Sequence, residues 1–111
     1  MAQHVITLGK STGVHATFGP EGLAATFGKL FKKEIQTGDE LFDEHVHVKT
    51  ATEDETIKFL DVTEIRTVIE RVVSEGGAVS VEDKTVTINL PDDVALDQAL
   101  LHALVEAVGT P

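Results

Sequence analysis

The sequence predicts an α+β fold: one single domain over residues 1–111, with an antiparallel sheet of about 4–5 strands and two main helices packed on one face. Short alternating segments, separated by turns that contain Gly or Pro, are typical of antiparallel strands. Two longer segments carry apolar residues at helical spacing. The chain has 111 residues, of which 41% are hydrophobic, and this suffices for one core but not for two.

The first two predicted strands are residues 4–8 and 14–18. In the second strand, apolar and polar residues alternate, which places the two sets of side chains on opposite faces. Gly9 and Gly13 bracket the polar residues between the strands. This connection favours a hairpin that pairs the two strands.

The middle of the chain fits more than one assignment. Residues 23–33 place four large apolar side chains at helical spacing, which favours a helix. The tetrapeptide Ala-Thr-Phe-Gly of residues 16–19 recurs within this segment, so a strand stays open as the alternative. Residues 36–44 are predicted as a loop, residues 45–50 as a strand and residues 52–60 as a short helical turn.

A helix over residues 61–74 is the strongest prediction, because its apolar residues form one stripe at helical spacing. Asp61 is predicted to cap the first turn, with Glu64 three residues later as in a capping box. A pair of glycines follows and ends the helix. A last helix is predicted over residues 94–108, with one of the two aspartates that follow Pro91 as its cap.

Residues 78–90 are predicted as a hairpin. With Asp83 and Lys84 as a two-residue turn, the pairing places the apolar residues of both strands on one face. These residues are Val79, Val81, Val86 and Ile88. Asp-Lys is not the preferred pair for such a turn, so a longer loop is the alternative.

The composition argues against several classes of function. The net charge of −10 repels phosphate, and five Phe with no Trp or Tyr leave few rings for base stacking, so no nucleic acid partner is predicted. The absence of cysteine excludes disulfides, thiolate catalysis and Cys-based metal sites, and no cofactor is predicted. No apolar run approaches the ~20 residues of a membrane span. Direct membrane insertion is therefore not predicted, and the chain is expected to be cytoplasmic or the soluble domain of a larger, membrane-anchored protein.

Residues 9–12, Gly-Lys-Ser-Thr, match the end of a phosphate-binding loop. Such a loop needs an earlier glycine, where this chain has His4, and a following helix that points its amides at phosphate. The residues that follow alternate like a strand instead. The segment is therefore predicted as a polar turn.

His45 and His47 are the weak candidates for metal ligands. They lie two residues apart, so one strand would place both on the same face, where Asp43 could complete a site. Two exposed histidines on the solvent face of a strand are the favoured interpretation. A small metal-dependent enzyme would need two of the histidines to converge with a carboxylate. The histidines in question are His4, His15, His45 and His47.

No nucleophile with an oriented base is identified, so the chain is not predicted to be an enzyme. Its most distinctive segment is acidic: residues 39–64 contain nine acidic and two basic residues. A solvated acidic surface is the favoured interpretation, and a docking face for a basic partner is the functional one. The candidates for partner binding are Asp39, Glu40, Phe42, Asp43 and Glu44. Phe42, flanked by charges, is predicted to be a buried anchor that pins this segment onto the core.

Residues 35–48 resemble a segment of a module found in uncharacterised, often membrane-anchored bacterial proteins of unknown function. In that module a Gly-Asp-x-x-Phe-Asp segment precedes a strand, and an acidic linker, a helix, a hairpin and a leucine-rich end follow. Gly38-Asp39, Phe42-Asp43 and Val48 match the pattern here. The resemblance covers roughly residues 23–108 and implies no known activity.

The function expected from the sequence is therefore a non-catalytic protein-interaction or regulatory module with an acidic face. Its partner would be a protein with a basic surface. One alternative is the small metal-dependent enzyme that uses His and carboxylate side chains. The other is a self-assembling structural subunit, a homo-oligomer for which the strand at residues 4–8 would provide an open sheet edge.

Overall fold

The computed structural model describes residues 2–9, 11–19, 33–35, 39–94 and 98–108. The described strands are β1 (Ala2–Thr7), β2 (His15–Gly19), β3 (Lys33–Ile35), β4 (His47–Thr50), β5 (Ala78–Glu82) and β6 (Thr85–Leu90). The described helices are α1 (Glu40–His45), α2 (Glu53–Leu60), α3 (Thr63–Ser74) and α4 (Gln98–Val108). None of these helices is both long enough and apolar enough to cross a membrane.

The described strands form one antiparallel sheet in the order β1-β6-β5-β2-β4-β3. The predicted α+β class and antiparallel sheet are confirmed. The sheet contains the five strands predicted from the sequence and, at one edge, the three-residue strand β3. The helix predicted over residues 23–33 lies outside the described residues except for Lys33, which is the first residue of β3.

The predicted hairpin between the first two strands is wrong. β1 pairs with β6 at the opposite edge of the sheet, while β2 lies between β5 and β4. Three residues that precede β2 are bonded to the β5–β6 turn: Ser11, Thr12 and Gly13. The hydroxyl of Thr12 donates to the carbonyl oxygen of Asp83 over 2.6 Å, and the N–H of Asp83 donates to the carbonyl oxygen of Val14 over 2.8 Å.

The β5–β6 hairpin is confirmed in its predicted register. Val81 pairs with Val86 and Val79 with Ile88, and all four side chains are buried. Asp83 is in the left-handed region with φ of 56°, a conformation that Asp tolerates better than most residues. The helices cover the face of the sheet that carries these side chains, where the Phe18 ring of β2 stacks on Phe59 of α2 with 6.4 Å between ring centroids.

Helix α3 carries the predicted apolar stripe. Its buried residues are Ile65, Val68, Ile69, Val72 and Val73. The prediction that Asp61 caps this helix is wrong, since Val62 is the N-cap residue and makes no side-chain cap hydrogen bond. Asp61 instead ends α2, where its N–H donates to the carbonyl of Ile57 over 3.0 Å. Helix α2 lies within residues 52–60, which were predicted as a short helical turn, and Asp61 follows it as the C-cap residue.

The end of the chain also departs from the prediction. Val94 lies outside a helix, and its N–H donates to the carbonyl of Pro91 over 3.0 Å, so the two aspartates between them belong to a turn rather than a helix cap. The described part of the last helix is α4, which packs on α3 and buries Leu104 in the core. One hydrophobic cluster joins residues of the sheet with residues of all four described helices.

Candidate functional site

The segment predicted as a loop over residues 36–44 contains helix α1, and this part of the prediction is wrong. Asp39 has an extended backbone, and its carboxylate accepts a hydrogen bond from the N–H of Phe42 over 3.3 Å, which is an N-cap. Glu40 and Asp43 add negative charge to the first turn, where the helix dipole favours it. The helix has only six residues, too few to show an apolar period in the sequence, but the cap residue was a readable signal.

Phe42 is the anchor of this segment, as predicted. Its side chain is only 1% exposed and belongs to the core cluster, whereas the neighbouring Leu41 is 66% exposed. The N–H of Val46 donates to the carbonyl of Phe42 over 2.8 Å and closes the helix before β4 begins. Helix α1 is therefore held at both ends, and its outer face has a defined orientation over the core.

The five residues predicted for partner binding thus divide into two groups. Phe42 is buried and offers no surface to a partner. Glu40 and Glu44 are exposed, and Asp39 and Asp43 are partly exposed. Leu41, which the sequence did not indicate, lies between the exposed glutamates as one of two exposed large apolar side chains among the described residues.

Further carboxylates extend the charge along the helical layer. Both α1 and α2 pack against α3. We define the acidic helical surface as the exposed carboxylates of α1, of the first turn of α2 and of the α2–α3 junction. Its members are Glu40, Glu44, Asp54, Glu55, Asp61 and Glu64. Among the residues that the structure describes, none of these six carboxylates forms an ion pair with another residue.

The histidines do not form the site considered from the sequence. His45 is the last residue of α1 and His47 the first residue of β4, so the prediction that one strand carries both is wrong. His45 Nδ1 lies 2.9 Å from the carbonyl of Leu41 and 3.9 Å from a carboxylate oxygen of Glu70 on α3. This pair links α1 to α3 at the border of the acidic helical surface.

The other two histidines considered as ligands, His4 and His15, lie elsewhere in the sheet. His15 Nδ1 is 2.7 Å from a carboxylate oxygen of Glu82, its cross-strand neighbour on β5. His4 is on β1, which β6 and β5 separate from the strand of His15. Within the described ranges, no three side chains of His, Asp or Glu come close enough together to hold a metal ion.

The segment that resembles a phosphate-binding loop is followed by strand β2 and not by a helix. Its polar groups are used internally: the hydroxyl of Ser11 and the N–H of Gly13 both donate to the carboxylate of Asp83. The hydrogen bond from Ser11 is the main cause that lowers the pKa of Asp83 below its ordinary value, and the one from Gly13 adds to it. These bonds join Ser11 and Gly13 to the β5–β6 turn, so the N–H of Gly13 is used within the chain.

Comparisons with protein-family models, with curated proteins and with solved structures found no match to this chain.

Proposed function

We propose that this chain is a non-catalytic protein-interaction module, and that its acidic helical surface docks a protein with a basic surface. The observation that carries the proposal is the set of six exposed carboxylates on one helical layer that form no ion pair with a described residue. Charges of one sign repel one another, and a basic partner would offset this repulsion. Charge of one sign on one surface also accelerates encounter with a partner of opposite sign.

Leu41 supports a docking role over a merely solvated surface. Its side chain is 66% exposed and is flanked by Glu40 and by Glu44 one helical turn later. Many interfaces combine a small apolar centre with a polar or charged rim. The partner expected here has lysines or arginines around a shallow apolar depression.

Local rigidity also supports the proposal. The Asp39 cap and the buried Phe42 ring hold α1 in one orientation, so Leu41 and the glutamates on either side of it are positioned before binding. Binding therefore costs less free energy than binding to a disordered acidic segment would, because α1 is already ordered.

A pair of charge-matched variants tests the proposal. Cell extract from the organism that encodes the chain is passed over immobilised wild type, over an acidic-surface variant and over a control variant. The acidic-surface variant carries Glu40→Gln, Glu44→Gln, Asp54→Asn and Glu55→Gln. The control variant carries Glu75→Gln, Glu82→Gln, Asp93→Asn and Glu106→Gln, which reduce the net charge of −10 by the same amount from residues outside the acidic helical surface.

We expect wild type and the control variant to retain the same proteins at low salt, and the acidic-surface variant to lose them. Salt at ~0.5 M should elute these proteins, because it screens the charges. Proteins retained equally by all three, or lost equally by both variants, would contradict a role for this surface. Leu41→Ser should weaken retention of the same proteins without changing the net charge. A protein retained as strongly by Leu41→Ser would show that the apolar centre is not part of the contact.

A further inference from the structure

Strand β1 lies at one edge of the sheet that the described strands form. All six residues of β1 pair with β6 along its inner edge, and no described strand pairs with its outer edge. Along such an edge every second residue directs its N–H and C=O away from the sheet, where they can pair with another strand.

The two edges of the sheet differ in their protection. Among the described strands, the opposite edge is β3, which has only three residues. Short length is a common means of limiting edge pairing. β1 has six residues, Ala-Gln-His-Val-Ile-Thr, without Pro, Lys or a carboxylate. Its Val5 is 62% exposed, which makes it the second exposed large apolar side chain in the described part of the chain.

The charge distribution indicates which molecule fits this edge. Two copies of a chain with a net charge of −10 repel each other, most strongly where their acidic surfaces face. β1 carries no carboxylate, so it gives a second copy a long uncharged edge along which to approach. A partner with a basic surface finds no opposite charge on β1 and is attracted to the acidic helical surface instead.

The pairing register follows from symmetry. A two-fold axis perpendicular to the sheet keeps the helices of both copies on the same side and requires facing residues to share a sheet face. His4 and Ile6 share the helix-covered face, since they pair with Ile88 and Val86, while Val5 lies on the opposite face beside Thr87. With the axis at Val5, Val5 faces Val5 of the second copy, and His4 faces Ile6. With the axis at His4, two imidazoles face each other and Val5 faces Gln3, which is a poorer partner for an exposed β-branched side chain.

We infer that two copies of this chain associate through their β1 edges, antiparallel and centred on Val5, to form one continuous sheet. This interface is separate from the acidic helical surface, so each can fail without the other.

A disulfide trap tests the register directly, because the wild-type chain has no cysteine. Facing residues of antiparallel strands have Cα atoms about 4.5–5.5 Å apart, within the range that a disulfide spans. Under mild oxidation Val5→Cys should form a covalent dimer in high yield. Leu41→Cys controls for exposure, since Leu41 is at least as exposed as Val5. Gln3→Cys controls for register, because the two Gln3 residues would lie about 13 Å apart along the strands.

Cross-linking confined to Val5→Cys supports the inference. Equal cross-linking of Val5→Cys and Leu41→Cys, or efficient cross-linking of His4→Cys with little of Val5→Cys, would overturn it. Light scattering of the wild type should give twice the monomer mass at high concentration, with a dimer fraction that rises with salt as repulsion is screened. Val5→Lys should be monomeric with an unchanged circular dichroism spectrum. A wild type that stays monomeric at all concentrations, or a Val5→Lys variant that still dimerises, would also overturn the inference.

Discussion

The carboxylate of Asp83 accepts a hydrogen bond over 3.1 Å from the backbone N–H of Gly13, a residue 70 positions earlier in the chain. The hydroxyl of Ser11 donates to the same carboxylate, and that of Thr12 donates to the Asp83 carbonyl. The connection that leaves β1 is thus fixed to the β5–β6 turn. This contact explains why β1 and β2 lie apart in the sheet although they are consecutive in sequence.

The Asp83 contact predicts a pH dependence of stability. A carboxyl group with a lowered pKa in the folded state contributes stability that is present above its unfolded value and is lost as pH falls through its folded-state pKa. We expect Asp83→Asn to lower the free energy of unfolding at pH 7, and the difference from wild type to shrink as pH falls below the ordinary value of 3.8. Asn tolerates the left-handed backbone at this position, so the substitution reports on the charge.

Urea unfolding at several pH values measures this effect. Ser11→Ala removes the main cause of the lowered pKa and should reproduce part of the loss. In the Asp83→Asn background, Ser11→Ala should lower the free energy of unfolding by less than it does in wild type, because the two side chains share one contact. A difference between Asp83→Asn and wild type that is constant from pH 7 to acid would contradict the assignment.

Alanine substitutions of Phe42 and of the adjacent Leu41 test whether the Phe42 ring anchors α1. Phe42→Ala should lower the free energy of unfolding by about 3–5 kcal/mol, the usual cost of deleting a buried Phe. Leu41→Ala, at an adjacent residue that is 66% exposed, should change it by no more than about 0.5 kcal/mol. Denaturant unfolding of both variants checks the contrast, and equal effects would mean that α1 is not anchored by the Phe42 ring.

Gly77 lies too close to its neighbours to leave room for a Cβ atom. A Cβ atom there would overlap the carbonyl oxygen of Asn89 and lie 2.9 Å from Cδ2 of Leu90 and 3.0 Å from Cγ1 of Val72. Because a backbone oxygen cannot turn aside as a side chain can, Gly77→Ala should cost about 3 kcal/mol, the upper end for overpacking.

Gly76→Asn is the control for Gly77→Ala. Gly76 has φ of 86°, a region that Asn tolerates, and its Cβ would meet only Cγ of Pro91 at 3.4 Å. Thermal unfolding should therefore place Gly76→Asn well above Gly77→Ala in Tm. The reverse order would show that backbone conformation, and not the close approach to β6, limits this turn.

A buried pair of hydroxyl groups joins β4 to α2. Oγ1 of Thr50 lies 2.8 Å from Oγ1 of Thr56, and Thr50 also accepts from the N–H of Thr52 over 2.8 Å and donates to the carbonyl of His15 over 3.2 Å. Thr56→Val leaves these other two bonds intact and should cost about 1 kcal/mol. Thr50→Val removes all three and should cost about 2–3 kcal/mol. Equal costs in denaturant unfolding would show that the bonds to Thr52 and His15 add nothing.

Local patterns were sufficient for the elements whose partners are near in sequence. The β5–β6 register followed from alternation alone, since Val81 and Val86 flank a two-residue turn. The stripe of α3 was readable because its buried residues repeat over three turns. The place of β1 could not be predicted, because its pairing with β6 and the Asp83 contact join residues about 70–90 positions apart.

The candidate site was predicted in part. Burial of Phe42 followed from an aromatic ring among charges, and the carboxylates of α1 were named individually. The helix itself was missed because the same charges and the Gly before Asp39 are also typical of a loop. The exposure of Leu41 could not be predicted, since which of two adjacent apolar residues turns inward depends on where the helix begins.

The most direct test of the proposed function is to map where a cationic probe contacts the folded chain. A synthetic lysine-rich peptide is added at low salt, and backbone amide shifts are followed by NMR. We expect salt-sensitive shifts that cluster on α1, on the first turn of α2 and at the α2–α3 junction, with few shifts on β1 or β6. Shifts that are absent, or that spread evenly over all the acidic residues of the chain, would contradict the claim that the acidic helical surface is the docking site.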